Sequence, residues 1–274
     1  ITAQAESNAT VVSGQSVTLS NSTTSAMAPS PSSITFSIAA PQPFPFSQPY
    51  GITLNPAGTF AFITNRINNT VTQCSVSGGN LSACADSGAT GLNSPYAITL
   101  NPAGTFAFII NKTNSTVTQC SVSGGTLSAC ANSGATGIFA PNGITLNPAG
   151  TFAFITNNNS SVTQCSVSGS TLSACANSGA TGLSGSTGIT LNPAGTFAFI
   201  INISSGTVTQ CSVSGGTLSA CANSGATALN YPFGITLNLA GTFAFITNVV
   251  SNSITQCSVS GGTMSACATT GFAN

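Results

Sequence analysis

The chain has 274 residues, of which 1% are charged: two are Lys or Arg, two are Asp or Glu, and none is His. Soluble domains carry about 25% charged residues, so the surface of this protein must consist of Ser, Thr, Asn, Gly and Gln. The lack of a basic patch excludes nucleic acid and anionic membrane surfaces as partners. No apolar run reaches the roughly 18 residues of a transmembrane helix, so we expect no membrane insertion. A nearly uncharged surface favours association between copies, which is one explanation for the low charge content. Drift towards an unusual composition without a function in association explains it equally well.

Residues 1–50 are predicted to form an extended Ser/Thr/Pro-rich segment with one or two strands. The strand candidates are Val11–Ser20 and Ile34–Ile38, followed by a stiff connector at Pro41–Pro45. The apolar positions of the two candidates are Val11, Val17, Leu19, Ile34, Phe36 and Ile38. Because an apolar strand needs a partner, we expect these strands to extend a sheet edge of their own molecule or of a neighbouring one.

The remainder of the chain is a fivefold repeat. The asparagine of a recurring LNPAG turn lies at Asn55, Asn101, Asn147, Asn192 and Asn238, at intervals of 46, 46, 45 and 46 residues. The fifth copy has Leu239 where the others have Pro. A fixed period of this size indicates a repeat architecture.

Each repeat reads as four short strands. In the first, Ile52–Leu54 is apolar, and Asn55–Gly58 suits a type I turn because Pro is its second residue and Gly its fourth. Thr59–Asn65 is apolar on both faces, which predicts burial on both sides. Thr70–Val76 is rich in β-branched residues and forms a third strand, and Leu81–Ala85 forms a weaker fourth strand after a Gly-containing hairpin loop.

Four antiparallel strands in about 46 residues are typical of one β-propeller blade. A β-solenoid is the competing interpretation, but solenoid coils are usually shorter and lack the tight hairpin. We therefore predict an all-β fold: a five-bladed β-propeller over residues 51–274, with four-stranded antiparallel blades and one disulfide per blade, preceded by the N-terminal segment. An irregular sixth blade built from the N-terminal strands remains the alternative.

The segment ITLNPAGTFAFITN resembles the YVTN-type propeller repeat, in which a strand, an NPxG turn and a YVTN strand recur. The tetrad is Phe62–Asn65 in the first copy and Phe108–Asn111 in the second, and three further copies follow within residues 51–268. This family borders the lactonase-like propellers, and many of its members are surface or binding proteins. The resemblance therefore implies a fold more firmly than an activity.

The ten cysteines fall into five pairs, each separated by ten positions across a hairpin loop: Cys74/Cys84, Cys120/Cys130, Cys165/Cys175, Cys211/Cys221 and Cys257/Cys267. Residues that face each other across antiparallel strands are within reach of a disulfide. We predict one disulfide within each blade and an oxidising compartment, so that the protein is extracellular or on the cell surface, secreted with its signal peptide removed. Zinc sites use closer spacings, often with His, so no metal site is expected.

No catalytic constellation is visible. General acid–base chemistry needs positioned titratable groups, and the acids of the chain are Glu6 and Asp86. Metal-dependent lactonase chemistry, which the resemblance suggests, needs acidic or imidazole ligands near the propeller axis. We therefore predict that the protein is not an enzyme and uses no cofactor.

A possible ligand-binding face consists of the variable positions at the start of each inner strand: Tyr50, Tyr96, Asn142, Thr187 and Phe233. Aromatic and amide side chains can stack on and hydrogen-bond a sugar. The competing interpretation is that these residues seal the gaps between blades. Arg66 and Lys112 lie in a second set of variable loops and are interpreted as solvated charges.

We predict from these observations a secreted structural protein that assembles head-to-tail with itself into an extracellular filament or surface layer. In this mechanism the N-terminal segment of one copy adds a strand to the next. The alternative is a lectin-like extracellular module that binds glycans or cell-surface proteins in adhesion. A lactonase-like enzyme is the third function class and is disfavoured by the missing acids and imidazoles.

Overall fold

The computed structural model describes residues 17–19, 34–36 and 46–271, and the chain divides into two compact units, residues 1–44 and 45–274. In the first unit, β1 (Val17–Leu19) pairs antiparallel with β2 (Ile34–Phe36) in a two-stranded sheet. The two predicted N-terminal strands therefore pair with each other, a partner that the sequence analysis did not consider. Val11 and Ile38, at the outer ends of the two candidates, lie outside the described residues.

The second unit contains five four-stranded sheets, here called blades 1 to 5. Blade 1 consists of β3 (Pro49–Leu54), β4 (Phe60–Asn65), β5 (Thr70–Ser77) and β6 (Asn80–Asp86). Blade 2 consists of β7 (Pro95–Leu100), β8 (Phe106–Asn111), β9 (Thr116–Ser123) and β10 (Thr126–Asn132). Blade 3 consists of β11 (Pro141–Leu146), β12 (Phe152–Asn157), β13 (Ser161–Ser168) and β14 (Thr171–Asn177). Blade 4 consists of β15 (Ser186–Leu191), β16 (Phe197–Asn202), β17 (Thr207–Ser214) and β18 (Thr217–Asn223). Blade 5 consists of β19 (Pro232–Leu237), β20 (Phe243–Asn248), β21 (Ser253–Ser260) and β22 (Thr263–Gly271).

Within every blade the strands follow one another in chain order and pair antiparallel. The predicted all-β fold with five blades of four strands is thus confirmed. The described part of the chain contains no helix long and apolar enough to cross a membrane.

The LNPAG turn between the first two strands is held by its asparagine. In blade 1, Asn55 Oδ1 accepts hydrogen bonds from the main-chain N–H groups of Thr59 at 2.8 Å and Phe60 at 2.9 Å. Gly58 closes the turn with a hydrogen bond to Asn55 O at 2.8 Å and has a φ of +67°, which glycine adopts without steric cost. The same side chain–main chain contacts recur in the other four blades.

One disulfide joins the third and fourth strands of each blade, as predicted. The bridges are Cys74–Cys84, Cys120–Cys130, Cys165–Cys175, Cys211–Cys221 and Cys257–Cys267. The Cα atoms of each pair are 4.0 or 4.1 Å apart, and the structure contains no free cysteine among the described residues. Five disulfides indicate an oxidising, extracellular-type environment.

The two cysteines of a bridge do not face each other in a regular ladder, which corrects the geometry expected from the sequence. In blade 1 the register shifts opposite Cys74, so that Ala83 and Cys84 together form a β-bulge across from it. Ala83 has a φ of +47°, and the residue before the second cysteine has a positive φ in every blade. The bulge brings the second cysteine to the edge of the blade, where it is only partly buried although its partner is fully buried. The partly buried members of the five pairs are Cys84, Cys130, Cys175, Cys221 and Cys267.

The second strand of each blade supplies both sides of the core. Its two phenylalanines lie on one face, here called the phenylalanine face, and its alanine and following isoleucine lie on the other, here called the alanine face. Phe62 of blade 1 packs against Ile98 and Leu127 of blade 2, so the phenylalanine face of one blade covers the alanine face of the next. Three further clusters repeat this arrangement between blades 2 and 3, 3 and 4, and 4 and 5.

Blades 1 and 5 depart from this pattern. The strand β4 and its equivalents in blades 2 to 4 are buried on both faces, as predicted, but β20 alternates between exposed and buried residues. The inner strand β3 is likewise exposed at Ile52 and Leu54, although Ile98 at the equivalent position of blade 2 is buried. The prediction of two-sided burial is therefore wrong for blade 5, because β19 and β3 lack the close packing that joins the inner strands of successive blades.

Candidate functional site

The five predicted ligand positions are equivalent in the fold, because each is the second residue of an inner strand. Four of them line a cavity of about 440 Å³ bounded by the inner strands of all five blades: Tyr50, Tyr96, Asn142 and Phe233. The cavity also reaches Phe245, Thr247 and Ile254 on the phenylalanine face of blade 5. The repeat geometry thus brings together residues that lie up to four repeats apart in the sequence.

Three aromatic rings form a cluster in this cavity. The ring centroids of Tyr50 and Tyr96 are 4.1 Å apart with a 35° tilt, and Phe233 meets Tyr50 edge-on at 5.3 Å. Aromatic pairs in these arrangements contribute about 0.5–1.5 kcal/mol beyond their buried area. Blades 1, 2 and 5 therefore present a preformed aromatic surface.

Both cationic side chains of the chain lie beside this cluster. The Arg66 Cζ atom is 5.3 Å from the Tyr96 ring centroid and 5.9 Å from that of Tyr50. The Lys112 Nζ atom is 5.0 Å from the Tyr96 centroid, within cation–π range. The interpretation of Arg66 and Lys112 as simply solvated charges is therefore incomplete: Arg66 is exposed and Lys112 is partly buried, and both lie within cation–π range of aromatic rings.

The environment shifts two pKa values in the cluster. Burial, together with the hydrogen bond and the charge interaction with Tyr96, raises the pKa of Tyr50 to about 12, although the Arg66 charge acts in the opposite direction. Burial and the neighbouring Arg66 charge lower the pKa of Lys112. Both pKa shifts favour the uncharged form of the side chain, the phenol of Tyr50 and the amine of Lys112.

Asn142 and Thr187 each connect neighbouring blades, and of the two only Asn142 lines the cavity. The Asn142 amide donates a hydrogen bond to Ser186 O at 2.7 Å and accepts one from the Lys112 ammonium. The Thr187 hydroxyl donates to Phe233 O at 2.9 Å, and its side chain is buried outside the cavity lining. For Thr187 the sealing role is the one that the structure supports, whereas Asn142 both joins two blades and positions Lys112.

Acidic groups and thiols do not contribute to this site within the described residues. Asp86 ends the outer strand β6, where its carboxylate accepts a hydrogen bond from Gly88 N at 2.9 Å; Asn132, Asn177 and Asn223 do the same in blades 2 to 4. Glu6 lies outside the described residues.

The ten cysteines are bound in disulfides away from the cavity lining. Among residues 46–271 no group of three or more His, Cys, Asp or Glu could hold a metal ion. The site is therefore an aromatic surface that two basic side chains flank and that no acidic side chain lines.

The family model of a seven-bladed β-propeller lactonase matches residues 49–171, which span blades 1 and 2 and most of blade 3. This chain has the fold of the lactonase-like β-propellers. The resemblance predicted from the repeat is thus confirmed, with five blades in the described residues. No curated protein matches the chain in sequence.

Solved structures with different functions share this lactonase-like propeller fold. A chain of a nidogen/laminin complex superposes with a TM-score of 0.67 at 15% identity, covering 81% of this chain and 80% of that one. The periplasmic gluconolactonase of Pseudomonas aeruginosa superposes with a TM-score of 0.60 at 16% sequence identity, and the match covers 80% of this chain and 69% of that one. A chain of the hydrazine synthase of Kuenenia stuttgartiensis superposes with a TM-score of 0.54 at 14% sequence identity, and the match covers 81% of this chain and 80% of that one. Identities this low establish the fold alone.

The two cations are the part of the site that sequence reasoning missed. Arg66 and Lys112 occupy the same position in blades 1 and 2, directly after the last residue of the second strand. Equivalent positions of adjacent blades lie side by side in a propeller. That shared position is the signal that could have placed both side chains next to Tyr50 and Tyr96.

Proposed function

We propose that this protein is an extracellular, lectin-like binding module that holds an acidic saccharide in the central cavity. The observation that carries the proposal is the packing of Arg66 and Lys112 against the Tyr50–Tyr96–Phe233 cluster. A chain with two basic residues in total places both of them at one aromatic surface.

The chemistry of the cluster matches that of a uronic acid unit. A pyranose ring presents an apolar C–H face that stacks on aromatic rings, and its carboxylate is attracted by the guanidinium and ammonium groups. The raised pKa of Tyr50 keeps its phenol protonated and able to donate a hydrogen bond. Cavities with apolar walls and a few convergent polar groups are the usual form of small-ligand sites.

Binding of oligogalacturonate and of a neutral oligosaccharide of equal length, measured by calorimetry, tests this proposal. We expect the acidic oligomer to bind more tightly, and Tyr96→Ala to weaken its binding at least tenfold. Tyr231→Ala is the control for loss of a tyrosine outside the cavity. Because Tyr96 is 8% exposed and Tyr231 is 55% exposed, circular dichroism must first show that Tyr96→Ala keeps the native fold. Equal binding of the acidic ligand by Tyr96→Ala and the native chain would exclude this site.

We propose further that the protein does not hydrolyse lactones. Support comes from the composition of the cavity lining, which contains neither carboxylate nor imidazole, so no ordinary general base is positioned there. Incubation of the purified protein with gluconolactone and 6-phosphogluconolactone tests this point. Hydrolysis above the spontaneous rate that is lost in Tyr96→Ala would show that the site is catalytic.

Self-assembly into a filament or surface layer is a second candidate function, favoured by the near absence of charge on the chain. The predicted mechanism, strand addition by the N-terminal segment, would require β1 and β2 to exchange their mutual pairing for a sheet edge of another copy. Deletion of residues 1–40 tests it. If the truncated chain forms the same polymers as the intact one, the N-terminal segment is not the connecting element.

A further inference from the structure

Among the described residues, blades 1 and 5 each expose apolar side chains on one face, although Ala61, Ile63 and Cys74 at the centre of the blade 1 face are buried. The phenylalanine face of blade 5 exposes Phe243 and Phe245, and the alanine face of blade 1 exposes Ile52, Leu54 and Leu81. These two faces are the two halves of the contact that joins every other pair of neighbouring blades. We propose that they bind each other between copies, so that blade 5 of one molecule packs on blade 1 of a second molecule.

The internal interfaces define which side chains would meet. Between blades 1 and 2, Phe62 packs against Ile98 and Leu127, and the three side chains are 0%, 5% and 1% exposed. The equivalents on the uncovered faces are Phe245 in blade 5, which is 36% exposed, and Ile52 and Leu81 in blade 1, which are 62% and 42% exposed. A second copy would bury these side chains as the neighbouring blade does elsewhere.

The LNPAG turns independently indicate that blade 5 can pack on blade 1 of another copy. A Cβ atom built on the turn glycine of one blade would lie 2.6–2.8 Å from the proline Cδ of the preceding blade, in the pairs Gly104/Pro56, Gly150/Pro102, Gly195/Pro148 and Gly241/Pro193. The unused partners are Gly58 of blade 1, which has nothing within 4 Å, and Leu239 of blade 5. Leu239 is 96% exposed. The proposed interface places this leucine against Gly58 of the next copy.

The inner strands also make a contact between successive blades that is missing after blade 5. A Cβ on Gly51, Gly143 or Gly188 would approach the main-chain oxygen of the following blade to within 2.5, 2.6 or 2.8 Å. At Gly234, the equivalent in blade 5, such an atom would meet Thr247 of its own blade. The inner strand of blade 5 therefore has room for another strand at the distance that the other blades use.

A second copy is the occupant that these observations favour, because each face is complementary to the other and the chain already makes this contact four times. None of the side chains named on the two faces is charged, so desolvating them carries no ionic cost. The contact is heterologous and can therefore continue from copy to copy. It shares Ile52 and Phe245 with the cavity lining, but Phe243 and Leu81, the positions of the two test variants, lie outside that lining, so the contact between copies and saccharide binding can fail independently.

Two variants of the 274-residue chain test the proposal. Phe243→Arg blocks the face of blade 5, and Leu81→Arg blocks the face of blade 1; both side chains are exposed and lie outside the cavity lining. Phe139→Arg is the matched control, since Phe139 is an exposed phenylalanine in the loop before β11, away from the two faces. Circular dichroism establishes that all three variants fold.

Light scattering over a hundredfold range of concentration is the measurement. We expect the native chain and Phe139→Arg to associate, and each blocked variant alone to remain a monomer. A one-to-one mixture of Phe243→Arg and Leu81→Arg should form dimers and nothing larger, because only one productive pair of faces is left. A native chain that stays monomeric overturns the proposal. So does a mixture that forms no dimer, or a blocked variant that associates as the native chain does.

Discussion

At the scale of single residues, the last asparagine of each second strand organises the entrance to its own blade. Asn157 is fully buried, and its amide donates hydrogen bonds to Thr163 Oγ1 at 2.9 Å and Ser161 Oγ at 3.1 Å. Its Oδ1 atom accepts a hydrogen bond from Phe139 N at 3.0 Å. The side chain thus joins its own blade to the loop that enters it, which explains why an amide rather than an apolar residue ends the strand.

Replacing Asn157 with Ala should lower the free energy of unfolding by about 2–3 kcal/mol, because the part-buried N–H of Phe139 loses its acceptor and the buried hydrogen bond to Thr163 Oγ1 is lost as well. Urea unfolding measures the change. Asn158→Ala is the control, since the adjacent Asn158 side chain is exposed. Equal unfolding midpoints for the two variants would contradict this role.

The Tyr50 phenol should remain protonated well above the usual tyrosine range. Subtracting the 295 nm titration of Tyr50→Phe from that of the native chain isolates this residue, and we expect a midpoint at about pH 12. Because the unfolded chain releases this proton first, the free energy of unfolding should fall as the pH rises from 10 towards 12. A difference titration centred near pH 10 would show that Tyr50 is not held in the cluster.

At the scale of elements, the disulfide compensates for the weak fourth strand of each blade. The outer strands β6, β10, β14 and β18 are mostly exposed and bury little apolar surface. Each bridge closes the hairpin between the third and fourth strands over a separation of ten residues. Closing such a loop stabilises the fold through the entropy of the unfolded chain.

Removing one bridge with Cys165→Ala and Cys175→Ala should cost roughly 2–3 kcal/mol. The same double replacement at Cys211 and Cys221 is the comparison, because it opens an equivalent loop in another internal blade and should cost about the same. Guanidinium unfolding provides both values. A loss below about 1 kcal/mol in both blades would mean that the bridges do not restrict the unfolded chain in the expected way.

At the scale of the whole molecule, stability arises from contacts between neighbouring blades. Phe199 is fully buried between blades 4 and 5, whereas Phe245, its equivalent one blade later, is 36% exposed. The local sequence is the same at both positions, Phe-Ala-Phe-Ile. The two positions differ in their surroundings, because among the described residues Phe199 packs against blade 5 whereas no blade packs on the face of Phe245.

Phe199→Ala should therefore destabilise the protein by about 3–5 kcal/mol, the usual cost of truncating a buried phenylalanine. Phe245→Ala should cost much less at concentrations where the protein is monomeric. Thermal unfolding of both variants in dilute solution makes the comparison. Similar losses at the two positions would show that blade 5 is covered in solution by part of its own chain.

The sequence by itself determined the repeat, the strand order, the tight turns and the disulfide pairing. These features depend on contacts within about 46 residues, so each copy encodes them locally. Tyr50, Tyr96, Asn142 and Phe233 could also be assigned to one site, since equivalent positions of a repeat converge on the axis. The tertiary structure alone decided that Arg66 and Lys112 join them, because long side chains are placed by packing between blades. It also decided which apolar side chains of blades 1 and 5 are exposed: nearly identical repeats carry the same apolar pattern, and only the arrangement of all five blades shows which faces have a neighbour.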